Sequence, residues 1–507
     1  MHGLHKRVSA SAVAASALAW IPTTIGAEDF STAFMDAVRA IPEQHWATLN
    51  TNRFQNAWPE LERRQFDPAG QRAGPKAVIR AFSSFAWDRN RKDVIIYGGG
   101  HGNYPGNEVY RWRSSTLRWE RGSIPSQTVL IDGQPLSGSY NAIDGYLNAP
   151  PSAHTYDNNE YLPLVDRFVT LGGAAWNTGG SFQYRNDQGQ LRRTGPYFWN
   201  PALGDPDKVG GSTGSHVNPA MFPDTLGGMM WDNRQRALSS SSDQYSFIEG
   251  ATAYAEYVDG NTGEVFDSLW VSTRQNLWQY IVHDADDPTG TCADNEGDCW
   301  ILSGTAQVPG VDGTWGQGAA AVDPDREVFV RAAGNQLYYY DLANPGPSNP
   351  AVPILISNQV GAPFAANFRS AGLDYDPERE HFILWAGFEG VWALIPPDPL
   401  AAAGWTTERL ETEALPEFGT PDRNDSGDST FTGILGKWKY IPEADLYMGF
   451  YHVKDGDIWV YKPENWNPTF GALESEPAVV PLWGAVPALV TGAVLVVIHR
   501  RRRLLQA

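Results

Sequence analysis

Histidine, tyrosine and arginine are the side chains here that could move a proton beside a carboxylate, and a few of each stand at telling places. His101 follows a three-glycine stop in DVIIYGGGHGNYPGNEVYRW (93–112), with Asn103, Tyr104 and Asn107 in the same polar loop. His154 and Tyr156 stand in PPSAHTYDNNEYLP (150–163), just ahead of an apolar strand signal. Arg80 in AVIRAFSSF and Arg369 in NFRSAGLDYDP hold the equivalent place elsewhere, and Trp176 and Asn177 follow a second glycine stop, Gly172-Gly173. Imidazole titrates near neutrality and serves as a general base. Arginine forks onto a carboxylate or sulfate through two parallel hydrogen bonds. Flat faces at Tyr104, Tyr156 and Trp176 suit sugar rings. A histidine in a polar loop is equally able to serve as a local hydrogen-bonding group, so the set gains meaning only if one fold brings it together.

The elements around these residues supply that test. Gly (51), Pro (36), Trp (20) and Tyr (21) are abundant, which favours many short strands joined by turns. An apolar strand, an Asp-x-x-Arg or Asp-Pro-x-Arg turn and a second apolar strand recur. The copies are FAWDRNRKDVIIYGGG (85–100), YLPLVDRFVTLGG (161–173), MMWDNRQRALSSSS (229–242), AAVDPDREVFVRAAG (320–334) and GLDYDPEREHFILWAG (372–387). A last copy, KYIPEADLYMGFY (439–451), has Pro-Glu in place of Asp-Pro. The aspartate caps a tight turn and proline presets its φ. Third-strand signals follow, such as Val109–Trp112, Leu337–Tyr340, Val391–Leu394 and Ile458–Tyr461. With the strand-rich 264–302 region this predicts an all-β fold, a propeller of six or seven four-stranded blades over residues 78–468; periods near 50 residues mark such arrays. A two-sheet sandwich does not account for the recurring turn. Residues 28–77 form a lead-in with one short helix at FSTAFMDAVRAI, and they are placed to add a closing strand. In a propeller the loop after each second strand and the segment before each first strand open on one face. His101, His154, Arg80, Arg369, Trp176 and Asn177 are therefore expected at one mouth.

The glycine stops, the Asn107-Glu108-Val109-Tyr110 strand and the spaced tryptophans resemble bacterial kelch-type β-propellers, a fold with galactose-oxidase-like architecture that hosts enzymes and binding modules alike. In outline the histidines, tyrosine and arginines are similar to the sets of propeller-fold ulvan lyases. That likeness implies a class of chemistry only, β-elimination on a uronate polysaccharide, with His101, His154 and Tyr156 as acid/base candidates. Arg80, Asn103, Tyr104, Asn107, Trp176, Asn177 and Arg369 are then substrate-binding candidates. A non-catalytic surface or matrix propeller that binds glycan or protein is the alternative.

The ends read as addresses. Residues 1–27 carry a basic start, His5-Lys6-Arg7, and an Ala-rich apolar run, as a signal peptide does. After a linker (469–478), residues 479–507 hold an apolar segment, Val479–Ile498, and then His499 and four arginines. It is about long enough for a transmembrane helix, with its basic end in the cytoplasm. The pattern also resembles the PEP-CTERM sorting tails cut by exosortase-type peptidases, although Ser475-Glu476-Pro477 stands where Pro-Glu-Pro is expected. Both expectations place the body outside the cell, at the envelope or surface.

Other chemistries fit less well. The formal charge of −20 argues against nucleic acid, which is bound through Lys and Arg. The two cysteines, Cys292 and Cys299, sit in one acidic loop. They suit a local disulfide in an oxidising compartment, with free thiols the other option, and they are wrongly placed for a galactose-oxidase-type copper site. No G-x-S-x-G or H-E-x-x-H motif occurs. No cofactor is expected, apart from Ca²⁺ in acidic loops such as 284–287, 294–298 or 422–428, none of which has the EF-hand pattern.

Overall fold

In the computed structural model, residues 28–64 and 74–468 are described, apart from 102, 132–133, 136–140, 177–179, 215–217, 219, 239–246, 290–296, 306–316, 335, 362–363, 365–367, 388–389, 411–431 and 451–454. The expected signal peptide, linker and C-terminal segment lie outside these residues. Among the described residues no helix is long and apolar enough to cross a membrane.

Six antiparallel sheets form a six-bladed β-propeller. Blade 1 is Phe85–Asp88, Asp93–Ile96, Tyr110–Arg113 and Arg118–Arg121; blade 2 is Asn159–Leu162, Arg167–Thr170, Tyr197–Trp199 and Trp231–Asn233. Blade 3 is Ala251–Val258, Val265–Ser272, Asn276–Val282 and Cys299–Thr305; blade 4 is Ala320–Asp323, Val328–Ala333, Gln336–Asp341 and Val352–Pro353. Blade 5 is Gly372–Asp376, His381–Trp385, Val391–Ile395 and Ala403–Arg409, with Leu355–Val360 added in parallel as a fifth strand. Blade 6 is Trp438–Ile441, Leu446–Gly449 and Trp459–Lys462, and its fourth strand is His45–Thr48 from the lead-in. The chain start thus closes the ring. The expected helix forms at Thr32–Arg39, where the Ser31 hydroxyl accepts from Phe34 N at 3.1 Å and Phe34 and Val38 are buried.

Strand alternation explains why the inner strands are apolar on both faces. Successive side chains point to opposite faces, and each face meets a neighbouring blade. Val94 and Ile96 pack toward blade 6, with Leu446, Met448 and Val460, while Ile95 and Tyr97 pack toward blade 2, with Tyr161 and Phe168. One apolar cluster lies at each of the six blade junctions.

The recurring turn does more than reverse the chain. Asp88, Asp323 and Asp376 each accept two backbone N–H groups of their own turn and the guanidinium three residues on. That arginine also reaches the next blade: Arg91 to Asp166 at 2.5 and 2.7 Å, Arg379 to Asp445 at 2.7 and 3.0 Å, and Arg326 to Glu380 at 2.9 Å. Each Asp-x-x-Arg turn is an inter-blade staple.

One copy of the repeat belongs elsewhere. Trp231–Asn233 is the outer strand of blade 2, not the first strand of a new blade. Arg234, buried there, forks onto Asp298 at 2.8 and 3.0 Å. Blade 3 begins instead at Ala251 and turns through Asp259-Gly260-Asn261-Thr262-Gly263, which lacks the arginine, so the repeat does not announce it. The count is six because 229–242 contributes no blade.

Candidate functional site

The glycine stops are close-approach positions. A Cβ at Gly100 would overlap the Ala153 backbone, and one at Gly173 would overlap the His154 carbonyl and press on the Tyr156 ring. Ala153–His154 pairs antiparallel with Ala174–Ala175, just after the second stop. Without side chains at these glycines the two loops close on one another, and His101 lands beside His154 with ring centroids 5.3 Å apart in an edge-on arrangement. Tyr156 lies 6.2 Å from His154, and Phe82 touches both, at 4.9 and 5.4 Å. Of the six residues expected at one mouth, His101 and His154 meet, and Tyr156 lies beside His154.

Phe82, His101 and Tyr156 all have left-handed backbones, with φ of 48°, 47° and 52°. Bulky residues pay conformational energy there, and such positions gather at functional sites. His101 is exposed, whereas His154 is 4% and Tyr156 6% exposed. His154 Nε2 meets Asn103 Oδ1 at 2.8 Å. With that oxygen as acceptor, Nε2 carries the proton and Nδ1 the lone pair. Burial, with the neighbouring His101, pushes the His154 pKa down to about 3, so the ring is neutral at ordinary pH.

Tyr156 lies within the field of three charged side chains. Burial and Glu249 raise its pKa well above the usual phenol value, while Arg274 and Arg369 pull the other way; burial wins and the hydroxyl keeps its proton. Arg274 pairs with Glu249 at 3.1 Å, and Arg369 Nε donates to Gln317 Oε1 at 3.3 Å. Arg331, buried beneath, donates to the Glu249 carbonyl. The mouth therefore joins His101, His154, Asn103, Tyr156 and Arg369 with Phe82, Glu249 and Arg274, which the sequence reading did not select. Glu249 precedes the first strand of blade 3, and Arg274 sits in its second connection, as His101 does in blade 1. The topological rule covers both positions; the unrecognised start of blade 3 hid them.

Several candidates do other work. Tyr104 is fully buried and donates to Glu108 Oε1 at 2.7 Å, as Tyr110 does. Asn107 is buried, bonded to Pro150 O at 2.9 Å and, through its oxygen, to Ser126 N at 2.8 Å. Neither is placed to touch a ligand, because the Tyr-Pro-Gly-Asn loop turns inward beneath His101. Trp176 is also buried, beside Asn107 and Ser126 against a gap of about 10 Å³, so it is no open platform. Arg80 ends the short helix Ala77–Arg80, and its carbonyl accepts from Thr432 Oγ1. Asn177 lies outside the described residues, as does Cys292; Cys299 is buried at the start of the outer strand of blade 3. The acidic loop 284–287 caps itself, with Asp284 accepting from Asp286 N and Asp287 N, and Asp298 is taken by Arg234. Among the described residues no cluster of three or more His, Cys, Asp or Glu could hold a metal ion.

A central cavity lies at the other end of the channel. It encloses about 500 Å³ among the first strands of all six blades, with Trp87, Tyr254, Tyr375 and Tyr440 around it. At its floor Lys439 of blade 6 reaches Glu160 of blade 2 at 3.0 Å. The histidine cluster, by contrast, presents its exposed imidazole at an open surface.

No family model matches this sequence, and no curated protein does. Among solved structures, the chain is similar to a GH74 xyloglucanase from Xanthomonas campestris, at 14% identity and a TM-score of 0.32, covering 72% of this chain and 55% of that one. It therefore spans about half the length of that enzyme. A eukaryotic initiation factor aligns at 8% identity and a TM-score of 0.20, over 76% of this chain and 90% of that one.

Proposed function

We propose that this chain is an exported, surface-associated propeller that cleaves a uronate-containing polysaccharide by β-elimination at the His101 mouth. The observation that carries the proposal is the meeting of an exposed imidazole, a neutral buried imidazole and a protonated phenol with two arginines. His101 takes the proton α to the uronate carboxylate. The C5–H and C4–O bonds break, a C4=C5 double bond forms, and the Tyr156 hydroxyl protonates the departing oxygen. Arg369 and Arg274 meet and neutralise the carboxylate, which makes the C5–H proton acidic enough to be taken. His154 and Asn103 position His101. An open mouth suits an internal stretch of polymer better than a closed pocket would.

The burial of His154 and Tyr156 favours a second reading, a glycan-binding propeller in which both are structural. The purified propeller is incubated with a panel of uronate polysaccharides while absorbance of unsaturated products is followed. His101→Ala should lower the rate by about 10²-fold or more with unfolding unchanged. Absence of product with every substrate, together with glycan binding that survives His101→Ala, leaves the binding reading.

A further inference from the structure

Blade 2 carries an insertion between its second and third strands, in the same kind of connection, and so on the same face, as the loop that holds His101. Part of it is an antiparallel hairpin, Gln183–Arg185 with Leu191–Arg193. Segment 183–193 contains three arginines and one aspartate in a chain whose net charge is −20. Arg185 donates to Gly189 O at 2.9 Å, Arg192 to Gln190 Oε1 at 2.5 Å and Arg193 to Leu238 O at 3.0 Å. All of these acceptors are neutral. Arg185 and Arg192 are exposed.

Tyr184 and Arg192 are directly opposite in the hairpin register, so their side chains share a face. On that face Tyr184 stacks flat on Tyr146, with ring centroids 3.5 Å apart and planes within 6°. The stack is held from below: the Tyr146 carbonyl accepts from Tyr197 Oη at 2.6 Å and from Asn233 Nδ2 at 2.8 Å. Both donors lie at the mouth end of blade 2, where Tyr197 pairs with Asn233. The chain from Ala174, the ladder partner of His154, reaches Tyr184 in ten residues. A fixed aromatic surface beside exposed guanidiniums has a clear complement: a sugar ring that stacks while its anionic group takes the fork.

We propose that this hairpin is a distal subsite for an anionic polysaccharide, binding a carboxylated or sulfated sugar of the same chain whose uronate lies at His101. The inference deepens the lyase proposal and rests on it for the identity of the chain. Arg192 supplies the charge on the face where Tyr184 on Tyr146 supplies the stacking surface, and Arg185, exposed on the hairpin's other face, adds to the positive field.

The test compares wild type, the double variant Arg185→Gln/Arg192→Gln, Tyr184→Ala and His101→Ala. Binding to polygalacturonate, alginate, dextran sulfate and neutral dextran is measured calorimetrically at two salt concentrations, and product formation is followed in parallel. Wild type should bind a polyanion, more weakly at higher salt, and ignore neutral dextran. The double variant should bind about tenfold more weakly with a flatter salt dependence, raising KM for long chains and leaving kcat near wild type. Preference for polygalacturonate and alginate or for dextran sulfate separates carboxylate from sulfate recognition. His101→Ala should bind as wild type does. Binding that needs the arginines but yields no product removes the lyase proposal and keeps the subsite. Product formation with an unchanged KM in the double variant removes the subsite and keeps the lyase. Failure of wild type to bind every polyanion overturns the subsite as well.

Discussion

The two ends of the channel use one backbone state in opposite ways. At the staple end, Lys92, Asp166, Glu327, Glu380 and Asp445 all have φ between 48° and 56°. Each is polar or charged, and each stands immediately before its blade's second strand. At the mouth Phe82, Tyr156 and Leu435 are left-handed three residues before the first strands of their blades, Glu249 is so two before its own, and His101 is so in the connection after a second strand. The first set is turn chemistry used five times. The second keeps a position but not a chemistry: Phe82 packs on Tyr156 and on His154, whose ring meets that of His101. In a fold made of copies, repetition marks the scaffold and departures from it mark the site.

Breaking a staple and breaking the mouth should separate stability from activity. Arg379 holds Asp376 and Asp445, both fully buried, so Arg379→Met leaves two carboxylates without their cation. Removing one partner of a buried pair costs about 3–5 kcal/mol, and denaturant unfolding should show a loss of that order. Arg326 makes the same turn, but its partner in the next blade, Glu380, is 67% exposed. That inter-blade link is worth about 0–1 kcal/mol, so Glu380→Gln should cost no more. Neither change should alter activity at the mouth. Equal losses for the two variants would remove the distinction between buried and exposed staples.

A smaller effect is expected where scaffold and site meet. Gly173→Ala puts a Cβ against the His154 carbonyl and the Tyr156 ring, and overpacking of this kind costs about 1–3 kcal/mol. Here stability and turnover should fall together, because the residue displaced is the one that positions His101. A variant that loses stability and keeps full activity would show that His154 has no part in the chemistry.

Much of this was legible in the residues and some was not. Recurring strand-turn-strand copies announced five of the six blades, three of them through a capping aspartate and its arginine at Asp88, Asp323 and Asp376. Blade 3 was signalled only by its strand-rich 264–302 region, because its turn, Asp259-Gly260-Asn261-Thr262-Gly263, keeps the capping aspartate and lacks the arginine. The meeting of His101 and His154, which Tyr156 joins beside His154, followed from topology. Which loop residues face outward did not: Tyr104 and Asn107 lie in the same polar run as His101, yet Glu108 and Pro150 draw them inward. A hydrogen-bond partner distant in sequence, such as Pro150 for Asn107, leaves no local signal. Tyr184 and Arg185 belong to blade 2, whereas the stacking partner of Tyr184, Tyr146, comes from the separate connection between blades 1 and 2.

The finest contrast between the ends is in pH. At the mouth, His154 is pushed down to about 3 from 6.5. Between these values the unfolded chain binds a proton that the folded chain refuses, so this group's stabilisation, full above 6.5, is lost as pH falls toward 3. At the other end, burial pushes Asp374 up to about 6 from 3.8, against the pull of Lys439. There the folded chain holds the extra proton, and stabilisation present below 3.8 is lost as pH rises through 6. The two slopes oppose each other between about pH 4 and 6. Melting temperatures measured across that window should fall less on acidification in His154→Gln than in wild type. In Asp374→Asn they should fall more, since the compensating proton uptake is gone. Shifts of the same sign in both variants would mean that the two ends do not titrate as independent sites.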